Sequence, residues 1–155
     1  MNGLAAKAQN GTDLLIDEDV DQLYERLGLN LRAISVNPEQ AGHFDLAVAH
    51  DVETLGPLDG LTEFGRRYFR KVEAQIHALI CNSESHQDRE KLTAAFGLGR
   101  DAVAATIAAL LVSSLGLAPA IAVVLAPITI KLFFVPAREA MCEQWDERLA
   151  DLDKA

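Results

Sequence analysis

Residues 102–130 read AVAATIAALLVSSLGLAPAIAVVLAPITI, and no charged side chain occurs in the stretch. A transmembrane helix needs roughly 20 apolar residues to cross a hydrocarbon core of about 30 Å, so length alone would allow a span. The interior of the run argues otherwise. Gly116, Leu117, Ala118 and Pro119 divide it, leaving 102–115 and 119–130 each short of that thickness. Alanine dominates the first piece, which suits close packing between helices. Aromatic residues flank the run on one side only, at Phe133 and Phe134, so no belt marks two interfaces.

Two helices follow from this reading. Asp101 suits the N-cap of the first and Gly116 its C′ position. Pro119 suits the first turn of the second, where its missing N–H would have no partner anyway. Pro127 removes a donor and crowds the preceding turn, predicting a kink over 123–127. Helices apolar on all sides are buried ones. The expected fold is therefore all-α, with five to six helices packed around a central apolar, alanine-rich helical hairpin at about 101–135.

Working outward, Leu61, Phe64, Tyr68, Val72, Ile76 and Leu79 recur every three or four residues and predict an amphipathic helix from about 59 to 80. Glu63 stands four residues before Arg67, the spacing of a weak exposed pair. Val20, Leu23 and Leu27 predict an acidic helix over 17–27, stopped by Gly28. A helix should run to Phe96 and end at Gly97. Met141, Trp145, Leu149 and Leu152 give the apolar stripe of a last helix over 137–152. Asn37-Pro38 suits a short helical start, and 44–49 a short extended piece. Residues 1–12 read as a flexible leader, and 13–155 as one helical domain. The expected core includes Leu61, Phe64, Tyr68, Val72, Ile76, Val103, Ile107, Leu110, Leu111, Ile121, Val124, Leu125 and Trp145.

The chain has 155 residues, 23 acids and 14 bases, for a formal charge of −9. Such a field repels phosphate, which disfavours a nucleic-acid partner. Two cysteines, Cys81 and Cys142, are too few for a small disulfide-stapled scaffold, and Cys81 reads as a small residue at the core edge. With no signal-like apolar run at the start, a cytoplasmic location is expected, with membrane association as the alternative.

The candidate chemistry is sparse. Asp17, Asp19 and Asp21 alternate like a calcium loop, but Gln22 and Gly28 stand where that loop needs glycine and glutamate. His77 and Cys81, four apart on a helix, could present metal ligands with His86 and then Asp88 or Cys142. His77 also falls on the polar side of its helix, beside Arg66 and Arg70. The cluster His43, Asp45, His50 and Asp51 lacks an evident nucleophile, and Gly97-Leu98-Gly99 lacks the rest of a phosphate loop. No catalytic, cofactor or metal residue is assigned, and no cofactor is expected.

One feature remains. Arg66, Arg67, Arg70 and Lys71 put four bases in six residues of an acidic chain. They are the candidate interaction residues, for an acidic partner surface or an anionic head group. The expected function is a non-enzymatic helical interaction or assembly module, a homo-oligomer or the binder of a protein partner. The alternatives are a protein that inserts 102–130 into a bilayer and, third, a small metalloprotein or hydrolase. In composition, residues 101–131 are similar to the pore-forming domains of colicins, where polar helices wrap an alanine-rich apolar hairpin. The likeness rests on composition and on no motif, and this chain has fewer helices than such a domain.

Overall fold

The computed structural model describes residues 2–42 and 60–154. Among them the chain forms seven α-helices, one 3-10 segment and no strand: α1 (Asn2–Leu15), α2 (Val20–Val36), the 3-10 segment Pro38–Gly42, α3 (Leu61–Cys81), α4 (His86–Leu98), α5 (Arg100–Ser113), α6 (Pro119–Phe133) and α7 (Arg138–Lys154). The class is all-α, as expected, with more helices than the five or six anticipated.

Helix α6 is the most deeply placed element. Every residue from Ala120 to Ile130 is buried. Burying a side chain of the Val, Leu or Ile kind stabilises by about 1.5–3 kcal/mol over leaving it in water, which makes this segment the natural centre of the core. Pro119 occupies its first turn, and Pro127 lies inside it without ending it. The hydroxyl of Thr129, also fully buried, donates to the Leu125 carbonyl at 2.9 Å. Helix α5 packs against α6, and α1, α2 and α4 lie around the pair. Val103, Ile107, Leu110 and Leu111 of α5 join Ile121, Val124 and Leu125 of α6 in one apolar cluster. The turn between them carries Gly116 at φ 69°, the left-handed region that glycine tolerates best.

The beginning of the chain differs from its sequence reading. Residues 1–12 were expected as a leader, but Asn2–Leu15 is helical, and Ala8, Thr12 and Leu15 are buried. The polar residues Lys7, Gln9, Asn10 and Asp13 hide a stripe that shows only when the helix is laid against α5 and α6.

Gly28 does not stop α2, which begins at a capping box and runs on to Val36. Asp19 accepts from the Gln22 amide at 2.8 Å, while the Gln22 side chain accepts from the Asp19 amide at 3.2 Å. Gly28 instead lies against α3, where a Cβ would collide with the Leu61 carbonyl oxygen. Gly65 of α3 lies against the Tyr24 carbonyl in the same way. Two glycines thus let the antiparallel helices α2 and α3 touch backbone to backbone.

Helix α4 starts at Ser85, whose hydroxyl accepts from the Asp88 amide, and runs two residues beyond its expected end. Helix α7 begins after Pro136, at 89° to α6. The segment 44–49 and the cluster His43, Asp45, His50 and Asp51 lie outside the described residues.

Candidate functional site: the two faces of α3

Helix α3 is amphipathic, and its two faces have different fates. Leu61, Gly65, Phe69, Ile76 and Ile80 turn into the core. Phe64, expected in that core, is 39% exposed, while Tyr68 and Val72 are half-buried. The apolar stripe covers a wider arc than the contact with α2 and α7 can bury, and Phe64 falls on its outer edge.

The four bases separate into one paired and three unpaired. Arg66 donates to Glu63 and to Asp21 of α2, and its guanidinium lies 5.2 Å from the centre of the Tyr24 ring. The hydrogen bond to Glu63 pushes the Arg66 pKa above its ordinary range. Glu63 therefore serves Arg66 rather than Arg67, the partner its spacing suggested. Among the described residues Arg67, Arg70 and Lys71 have no ion-pair partner, and all three are exposed. Phe64 and Ala74 share their side of the helix, also exposed.

The C-terminal half of the neighbouring face is roofed by α7. Glu73, with no exposed surface, accepts the indole N–H of Trp145 at 2.8 Å and the Nε–H of Arg148 at 2.9 Å. Arg148 also lies over the Phe133 ring, which stacks on Trp145. His77 is buried, edge-on to Trp145. Its Nε2 comes within 2.6 Å of Asp146 Oδ1 but makes no hydrogen bond, so the two groups meet at ion-pair distance without bonding geometry. His77 does fall on the same side of the helix as Arg66 and Arg70, as the sequence indicates. What the sequence does not show is that α7 covers the far end of that side. Glu73 carries a single signal in the sequence: it is an acid next to Val72, three residues before Ile76 and four before a histidine.

Two further ties hold α7 in place. Arg138 donates from both Nε and a terminal nitrogen to the Ile80 carbonyl at the end of α3. Cys81 and Cys142 form a disulfide with Cα atoms 5.8 Å apart. Cys81 is thus not simply a small residue at the core edge, and the metal set built on His77, Cys81 and Cys142 loses both sulfurs to each other. His86, the remaining member, is exposed and pairs with Glu90. The acids of the rejected calcium pattern have structural partners: Asp19 caps α2, Asp21 meets Arg66, and Asp17 meets Arg100. The depression lined by His86, Arg89, Glu90 and Arg138 is open to solvent rather than enclosed.

No protein-family model matches this chain, and neither a curated protein nor a solved structure is significantly similar to it.

Proposed function

We propose that this chain is a non-enzymatic helical assembly module that associates with itself through the exposed face of α3. The observation that carries the reading is that Arg67, Arg70 and Lys71 stand exposed, without ion-pair partners among the described residues, beside an exposed phenylalanine in a chain of net charge −9. Other surface arginines do have partners: Arg26 meets Glu18, Arg100 meets Asp17, and Arg89 donates to the Ser83 carbonyl. A cluster of bare cations around an aromatic ring has the composition of an interface, where Arg and Phe are enriched. In this reading the α5–α6 hairpin is the rigid centre on which α3 is mounted. Its burial within one chain means that assembly is not required to cover it.

The test is a charge reversal. Arg67→Glu combined with Lys71→Glu should convert the assembly to monomer in light scattering while leaving the helical circular dichroism unchanged. An unchanged mass would remove this face from consideration.

The disulfide bears on where the module works. Disulfides persist in oxidising compartments and are rare in the cytosol, so we place the module in an oxidising compartment rather than in the expected cytoplasm.

A second reading is membrane insertion. It is favoured by the apolar character of α6 on every side. No single helix among the described residues is long and apolar enough to cross a membrane, although α6 and α7 together pass by length and composition across their bend. Liposome flotation separates the two readings.

A further inference from the structure

We infer that the partner of the basic face of α3 is the acidic stripe of α7 on a second copy of this chain, the two copies meeting about a two-fold axis. This rests on the assembly reading above and names its surfaces.

The stripe is visible in the spacing. Glu139, Glu143, Glu147 and Asp151 stand four apart on α7, so they follow one another along one side of the helix. All four are exposed, and among the described residues none makes an ion pair. The arginines of α7 are turned away from them: Arg138 reaches the Ile80 carbonyl, and Arg148 reaches Glu73. Helix α7 thus uses its guanidinium groups to hold itself to α3 and leaves these four acids bare.

The basic face and the acidic stripe lie on neighbouring antiparallel helices. Four contacts fix that register: Arg138 with Ile80, Cys142 with Cys81, Asp146 with His77, and Arg148 with Glu73. From Glu139 to Asp151 the stripe runs about 18 Å, and the exposed side of α3 from Phe64 to Ala78 runs about 21 Å. The lengths match. Beyond Lys71 that side of α3 continues with Ala74 and Ala78, both exposed and small enough for another helix to come close.

A surface carrying opposite charges on two adjacent parallel tracks is complementary to itself. Rotation by 180° lays the cations of each copy on the acids of the other, and every contact is made twice, as an isologous interface requires. Such an arrangement also offsets part of the repulsion between two copies that each carry −9, because the open cations of each copy meet acids of the other. Phe64, at one end, supplies an apolar anchor.

The experiment compares four samples of the 155-residue chain by light-scattering mass, the wild type, two charge-reversal variants and their mixture, each with circular dichroism to confirm the fold. Arg67→Glu with Lys71→Glu, and separately Glu143→Lys with Glu147→Lys, should each weaken dimerisation by about tenfold or more, since juxtaposed like charges cost several kcal/mol. A one-to-one mixture of the two variants should recover the dimer. One chain then presents acids on both tracks and the other presents bases on both, so both contacts become attractive. A mixture that stays monomeric overturns the proposal. So does an α7 reversal that leaves the dimer untouched while the α3 reversal breaks it, although the assembly reading would then survive. A wild-type chain that is monomeric sinks both. Flotation on phosphatidylserine vesicles that the α3 reversal abolishes would assign the basic face to a membrane instead.

Discussion

The indole N–H of Trp145 donates to the carboxylate of Glu73 at 2.8 Å, and neither residue exposes any surface to solvent. This bond is one of the ties that hold a highly acidic helix against the core. Trp145 brings the apolar area, stacking on Phe133, while Glu73 satisfies its only polar atom and pairs with Arg148 as well. A buried carboxylate is tolerated here because it meets donors from two side chains of the facing helix.

Replacing Glu73 with alanine leaves the indole N–H and one side of the guanidinium without an acceptor. The expected loss is about 3 kcal/mol, the cost of removing one partner from a buried pair. Urea unfolding of Glu73→Ala should show it as a lower midpoint with an unchanged slope, together with a shift in Trp145 fluorescence. A change under about 0.5 kcal/mol, the range of ordinary surface substitutions, would show that the seam is held by other contacts.

The disulfide should add to this. Cys81 and Cys142 are 61 residues apart in sequence, and closing a loop of that length removes about 4 kcal/mol of chain entropy from the unfolded state. Thermal unfolding with and without a reductant, or of the double Cys→Ser variant, should reveal a marked fall in Tm. An identical Tm in both conditions would mean that the bond does not form in solution.

Gly65 tests the close crossing of α2 and α3. A methyl group there has nowhere to go, because the Tyr24 carbonyl belongs to helical backbone that cannot step aside locally. Gly65→Ala gains helix propensity of about 1 kcal/mol but should still destabilise, by about 1–3 kcal/mol net, through overpacking. A more stable Gly65→Ala protein would contradict the crossing.

Burial pushes the pKa of both Tyr24 and Tyr68 up from the ordinary value of 10.0. For Tyr24, the positive charge of Arg148, Arg66 and Arg70 opposes that effect without cancelling it. The folded state therefore holds these protons more tightly than the unfolded state does. Their contribution to stability is fully present below pH 10 and is lost as the pH rises toward the folded values. Spectrophotometric titration of tyrosinate should run later in native protein than in urea. Coincident curves would show both rings to be solvated.

The parts of this structure that were legible in the sequence are those set by local pattern. The uncharged run 102–130 reads as two apolar helices, Pro119 marks the start of the second, and Ile107, Leu111, Ile121 and Leu125 are buried as expected. But α5 begins at Arg100 with Gly99 rather than Asp101 as its N-cap, and its C-cap is Ser114, which puts Gly116 one position past C′. Leu61 and Ile76 likewise follow from period alone. The misses are tertiary. Gly28 carries the same one-letter signal whether it ends a helix or lets another backbone touch it. His77 and Glu73 lie on a polar side that only the docking of α7 covers. The pairing of Cys81 with Cys142 depends on the antiparallel register of helices that are distant in sequence. For the basic cluster, composition pointed to four residues, and the geometry separates them: Arg66 is taken by Glu63 and Asp21, while Arg67, Arg70 and Lys71 have no ion-pair partner among the described residues.

The most direct test of the account is the mass of the wild-type chain, measured by light scattering in detergent-free buffer, with liposome flotation on the same sample. The account predicts a discrete dimer that stays off liposomes. A monomer across the accessible concentration range, or a chain that floats with lipid, would contradict it.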